Sequence, residues 1–157
     1  MIELQSVFKE YVSAGESFFA LRDVSFSIRE NDYIAITGQS GSGKSTLMNI
    51  LGCLDVPSKG SYYLNGSLIS GCDESELARI RNQEIGFIFQ SFNLIPNISV
   101  LDNVIQPLVY RSVSKSNRIE MARSALVDVG LVDKILSRPN ELSGGQRQRV
   151  AIARALV

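Results

Sequence analysis

At 157 residues and 17.3 kDa the chain is one domain long, and 45% hydrophobic with 20% charged residues is the composition of a folded globular protein, not a disordered one. Sixteen basic residues balance sixteen acidic ones, so no overall field draws in nucleic acid or anionic lipid, and a partner has to be recognised at a site. The longest uncharged run, between Glu84 and Asp102, holds Gln90, Asn93, Pro96 and Asn97 and is too polar to span a bilayer.

The start, Met1-Ile2-Glu3-Leu4, has no basic stretch followed by an apolar one, which argues against a secretory signal and for the cytosol. Residues 2–8 and 21–28 alternate apolar and polar side chains, as in Val24, Phe26 and Ile28 against Asp23, Ser25 and Ser27; they read as antiparallel strands joined through the small, polar residues 13–17. Tyr33-Ile34-Ala35-Ile36-Thr37 is a short apolar run ending at a glycine, the pattern of a strand buried on both faces, and residues 45–54 then read as a helix through Leu47, Ile50, Leu51 and Leu54. Residues 61–64 followed by Asn65-Gly66 predict a hairpin. A helix is expected over 74–83, and residues 85–89 predict a second buried strand.

From Ser99 onward the pattern is helical: residues 100–109, broken or kinked near Pro107, and residues 118–129, closed by Gly130. The last helix, residues 146–156, carries Val150, Ala151, Ala153 and Leu156 on its apolar side. Cys53 and Cys72 have neither CxxC spacing nor a histidine in the chain to accompany them, so both read as reduced thiols.

The motif that carries chemistry is Gly38-Gln39-Ser40-Gly41-Ser42-Gly43-Lys44-Ser45-Thr46. It sits between an expected strand and an expected helix, the setting in which a GxxxxGK[ST] loop cradles phosphates. Glycine lets the backbone come close to the anion, Lys44 reaches the outer phosphates, and the helix dipole adds to the attraction. Ser45 suits a Mg2+ ion bridging the outer phosphates of ATP, with Thr46 behind it near the inner one. A second glycine motif, Leu142-Ser143-Gly144-Gly145-Gln146, has no lysine after it, yet it too places a serine and paired glycines at a helix N-terminus.

Taken together, the phosphate loop, Gln90 after Phe87-Ile88-Phe89, and Leu142-Ser143-Gly144-Gly145-Gln146-Arg147-Gln148-Arg149 resemble an ATP-binding cassette (ABC) ATPase over the whole chain. The resemblance implies an α/β P-loop NTPase fold: a RecA-like core, an antiparallel β subdomain and a helical signature subdomain. Residues 1–90 would hold the nucleotide-binding core and β subdomain, 91–141 the helical subdomain, and 142–157 the signature motif and the start of its helix. It also implies a head-to-tail dimer with a second cassette, in which Ser143, Gly144, Gly145 and Gln146 close on the ATP held by the partner. Gln90 would reach the metal and the attacking water, and Lys44 and Gln90 would be the residues of the reaction. Tyr11 matches the aromatic that stacks on adenine, against the plainer reading of a tyrosine at a strand end.

The segments Asn49-Ile50-Leu51-Gly52-Cys53-Leu54-Asp55 and Phe89-Gln90-Ser91-Phe92-Asn93-Leu94-Ile95-Pro96 are similar to the macrolide-exporter and lipoprotein-release branch. That branch implies a peripheral position on the inner face of the membrane, a transmembrane permease partner, and no nucleic acid. The family pattern continues past the signature helix into an acidic strand and a switch histidine that residues 1–157 do not include. The chain therefore reads as incomplete at its C-terminus, and residues 1–157 alone are expected to expose an apolar edge at 33–37, to be poorly soluble and to be inactive. Two other readings stay open: a non-catalytic nucleotide-binding or interaction module, and an ABC ATPase that does not serve transport.

Overall fold

The computed structural model describes residues 1–13 and 15–157. The chain divides into two compact units, Met1–Arg81 and Asn82–Val157, each with its own core.

The first unit is built on a four-stranded antiparallel sheet in the order β2-β1-β3-β4, with β1 Ile2–Ser13, β2 Glu16–Ile28, β3 Lys59–Leu64 and β4 Ser67–Leu68. The expected hairpin of β1 and β2 forms, and both strands run well beyond their alternating stretches, so that Ser13 pairs with Glu16 and Tyr11 with Phe18. Residue 14, inside the expected connection 13–17, lies outside the described residues. Register shifts occur three times between Leu4 and Glu10. Each shift breaks the period of two on which strand patterning depends, which is why the alternation fades before the strand ends.

Leu4, Val7, Leu21, Tyr62 and Leu64 of the sheet are buried together with Ile50, Cys53, Ile69 and Leu77. The Tyr62 hydroxyl donates to the Leu51 carbonyl at 2.8 Å, tying β3 to the end of helix α1, Lys44–Leu51. At Asn65 and Gly66 φ is 49° and 81°, the positive pair that a two-residue hairpin turn requires. Helix α2, Glu74–Glu84, lies where it was expected. Cys53 and Cys72 are both free thiols.

Two expected strands do not form. Residues 33–37 have no strand assignment, and Tyr33 and Ile34 are 96% and 53% exposed. A strand exists only where its N–H and C=O groups find a neighbour, and among the described residues no strand lies beside this run. Residues 85–89 likewise pair with no strand among the described residues. They keep the two-residue alternation, Ile85, Phe87 and Phe89 being half-buried and Gly86 and Ile88 exposed, with the Phe87 and Phe89 rings 4.5 Å apart.

The second unit packs α3 Val100–Tyr110, α4 Lys115–Asp128 and α5 Gly144–Leu156 around Val100, Val104, Leu108, Ala122, Leu126, Leu131, Val150 and Ala153. Helix α4 starts three residues before the expected 118 because Ser114 caps it, accepting from the Asn117 N–H. Nor does Pro107 break α3. It stands in the last turn, where its missing N–H removes a single helical bond. Among the described residues no helix is long and apolar enough to cross a membrane.

Candidate nucleotide site

The phosphate loop leaves the largely exposed run 33–37 and enters α1 through three glycines with φ of 154° at Gly38, 81° at Gly41 and 87° at Gly43. Gly43 is required twice over. Its backbone is left-handed, and a Cβ there would fall 2.4 Å from the Ala20 carbonyl oxygen and 3.0 Å from Leu21 Cδ2, so only glycine lets the loop press against β2. Lys44 Nζ turns back into the loop and donates to the carbonyls of Gly38 at 2.9 Å and Gln39 at 2.6 Å, with Ser42 Oγ at 3.4 Å. All three acceptors are neutral, and none of the ion pairs among the described residues involves this ammonium. Its charge is held at the loop with no counter-ion.

In front of the loop lies an open cavity of about 570 Å3 lined by Phe18, Ala20, Ser40, Gly41, Gly43, Lys44, Ser45 and Thr46. Helix α1 opens onto it with first N–H groups that have no acceptor within the helix. Position by position, Ser40, Gly41, Gly43, Lys44, Ser45 and Thr46 of the sequence motif face this space, while Gly38, Gln39 and Ser42 hold the lysine.

Phe18 and Ala20 were not legible as site residues. Both stand on the part of β2 that precedes the alternating stretch. The signal that finds them is the register of the hairpin, which puts Phe18 opposite Tyr11, with ring centroids 5.7 Å apart. Tyr11 is not in the cavity lining; it stands behind Phe18, half-buried, and its hydroxyl donates to Asp55 Oδ2 at 3.0 Å. Asp55 also accepts from Lys9 Nζ and from the Val56 N–H. Burial by itself would raise the Asp55 carboxyl, but the hydrogen bonds from Lys9, Val56 and Tyr11 and the charge of Lys9 outweigh it and hold the group below the usual carboxylate range.

In the second unit, Ser143 caps α5 reciprocally: its hydroxyl accepts from the Gln146 N–H at 3.3 Å, and Gln146 Oε1 accepts from the Ser143 N–H at 2.9 Å. Gly144 and Gly145 are exposed, and a Cβ on either would meet nothing within 4 Å. Gln90 is exposed on a tight turn closed by the Phe92 N–H on the Phe89 carbonyl at 3.0 Å. It belongs to the second unit, the phosphate loop and Tyr11 to the first. Among the described residues no group of three or more His, Cys, Asp or Glu side chains gathers to hold a metal, so hydroxyl and amide oxygens, those of Ser45 and Gln90, are the donors the motifs offer.

A glycine loop that opens a helix against an antiparallel sheet, with a capped Ser-Gly-Gly-Gln helix start in a separate helical unit, defines a nucleotide-binding cassette. The chain belongs to the ABC transporter family, whose pattern matches residues 21–157. It is 50% identical over 157 residues to the uncharacterized ABC transporter ATP-binding protein YknY of Bacillus subtilis, spanning all of this chain and 68% of that one. To the macrolide export ATP-binding/permease protein MacB of Rhodopseudomonas palustris it is 47% identical over 156 residues, 99% of this chain and 24% of that one. The structure resembles the dimeric form of the bacterial ABC transporter cassette MJ0796 with a TM-score of 0.90 and 44% identity, over 99% of this chain and 69% of that one. The same match holds for that cassette's post-hydrolysis state bound to ADP and Pi.

Proposed function

We propose that the chain is the ATP-binding part of an ABC transporter, an ABC-type ATPase in its complete domain, which couples ATP binding and hydrolysis to export or release of a substrate through a membrane-spanning permease. The observation that carries this reading is the Lys44 ammonium, held by neutral oxygens at the mouth of an open glycine cradle. An ammonium without a counter-ion, beside the unpaired N–H groups of a helix start, is built to receive a polyanion.

In the reaction, Lys44 neutralises the charge that spreads over the transferred phosphoryl group, and the loop backbone fixes the phosphates in line. Gly38, Gly41 and Gly43 keep that backbone close, Gln39, Ser40 and Ser42 complete the cradle, and Ser45 and Gln90 would hold Mg2+. Those are oxygen donors of the kind a hard divalent ion takes; when bound, the ion would supply positive charge that partly neutralises the phosphates. Gln90 can ligate and orient but cannot act as a base. Phe18 supplies aromatic surface at the side of the site for the adenine, backed by Tyr11, whose ring centroid lies 5.7 Å from that of Phe18.

Ser143, Gly144, Gly145 and Gln146 meet the nucleotide of a second cassette. Binding then favours the closed pair, and hydrolysis favours its opening. The export assignment follows the relatives named for export, and the protein sits peripherally on the cytoplasmic face of the membrane through its permease.

The test is the mass of the full-length protein in solution by light scattering, with Mg2+ and a non-hydrolysable ATP analogue and without them. A shift from one copy to two on saturation is expected. Bound analogue with no change of mass would overturn the sandwich, and failure to bind would overturn the nucleotide site.

A further inference from the structure

Residues 85–93, which carry Gln90, run along α5. At Gly86 the backbone touches the last turn of that helix so closely that a Cβ would fall 2.5 Å from the Ala155 carbonyl oxygen. Beyond Gln90, Arg154 donates through Nη1 to the Asn93 carbonyl and through Nη2 to the Phe92 carbonyl, both at 2.7 Å. Two helical turns earlier on the same face, the Arg147 guanidinium stands 5.7 Å from the centre of the Phe92 ring. The chain between is strained: Phe92 and Asn93 are consecutive left-handed residues with φ of 62° and 48°. A bulky residue keeps that conformation only where its surroundings impose it.

The far side of the loop is fixed as well. Fully buried Asn103 of α3 accepts from the Ile95 N–H at 2.7 Å and donates to the Ile95 carbonyl at 3.0 Å. Burial pulls the Arg154 pKa down, so the two carbonyls that its fork meets stand in for the water it has lost.

We infer that Arg154, with Arg147 beside it, is a positioning residue for Gln90: the two arginines strap the Gln90 turn to the helix that begins at Ser143. With that turn held in place, Gln90 is presented in one conformation. This rests on the role given above to Gln90.

The test is a double-mutant cycle in the full-length ATPase, reading kcat, KM for ATP and the melting temperature. Arg154→Lys keeps the charge but cannot span two carbonyls with a planar fork. It is expected to lower kcat about tenfold with KM and melting temperature nearly unchanged, and to add nothing when combined with Gln90→Ala. Losses that multiply in the double variant, or a wild-type kcat for Arg154→Lys, would overturn the inference alone. A wild-type kcat for Gln90→Ala would overturn it together with the role given to Gln90. Should Arg154→Lys lower the melting temperature markedly, Arg147→Met carries the same cycle, because it keeps an unbranched side chain and removes the guanidinium that stands over Phe92. A smaller loss of kcat, again absent on top of Gln90→Ala, is then expected, and an unchanged kcat would refute the strap.

Discussion

The two glycine-rich helix starts of this molecule look alike in sequence and differ in what demands the glycine. In the phosphate loop the demand is internal: Gly38 and Gly43 are left-handed, and a Cβ at either would run into the loop or into β2. At the start of α5 it is not, since neither Gly144 nor Gly145 has positive φ and neither would strike anything within the chain. A helix start that gives up the better helix former without an internal reason is shaped by something that comes from outside. On the function proposed above, one motif would hold a ligand of its own and the other would present a bare backbone to a ligand carried by another molecule.

The largest effect expected on the first side of that contrast is at Lys44. Lys44→Ala removes the one uncompensated cation of the cradle, and steady-state turnover in the full-length protein should fall by about 10²–10³. Near-normal turnover would remove the phosphate loop from the reaction. Gly43→Ala comes next, because it combines left-handed strain with a clash against Ala20. It should destabilise the fold by about 2–3 kcal/mol in urea titration, and a change below about 0.5 kcal/mol would show that the loop is free to move off β2.

A smaller effect tests whether the wall beside the loop is built as firmly as the loop itself. Asp55→Asn leaves Lys9 half-paired and weakens the bond to Tyr11, and should lose about 2 kcal/mol. The sign with pH follows from the direction of the shift. The folded-state pKa of Asp55 lies below its unfolded value, so the stabilisation is present above the ordinary carboxylate pKa of about 3.9 and disappears as pH falls through the lower folded value. Melting curves of wild type and Asp55→Asn should therefore differ at neutral pH and converge in acid; a gap that persists below both pKa values would assign the loss to packing and not to charge.

The same contrast explains what could be read in the sequence. Motifs whose chemistry is local were legible: the phosphate loop, the Asn65-Gly66 turn, the Ser143 cap and the helices with a clear apolar side. What depended on pairing was not. The run 33–37 is apolar enough for a buried strand, but among the described residues no neighbour completes it. Phe18 entered the cavity wall only once the hairpin register, shifted three times, was known. Arg154 gave no signal at all, since an arginine on a polar helix face is read as solvated, and only the fold brings it to the Phe92 and Asn93 carbonyls.

The smallest effect on the fold is the sharpest test of the contrast. Gly145→Ala places a Cβ where nothing stands within 4 Å and replaces a poor helix former with the best one, so the isolated fold should gain about 0.5–1 kcal/mol or hold its stability. The added methyl would, however, stand between the α5 start and a nucleotide brought by a second copy, and nucleotide-dependent dimerisation of the full-length protein should weaken in the same variant. Stability up and association down is an outcome that an internal demand for glycine cannot produce, because internal strain lowers both. A Gly145→Ala protein that melts earlier and still dimerises normally would place the reason for that glycine inside the chain, and the difference between the two motifs would vanish.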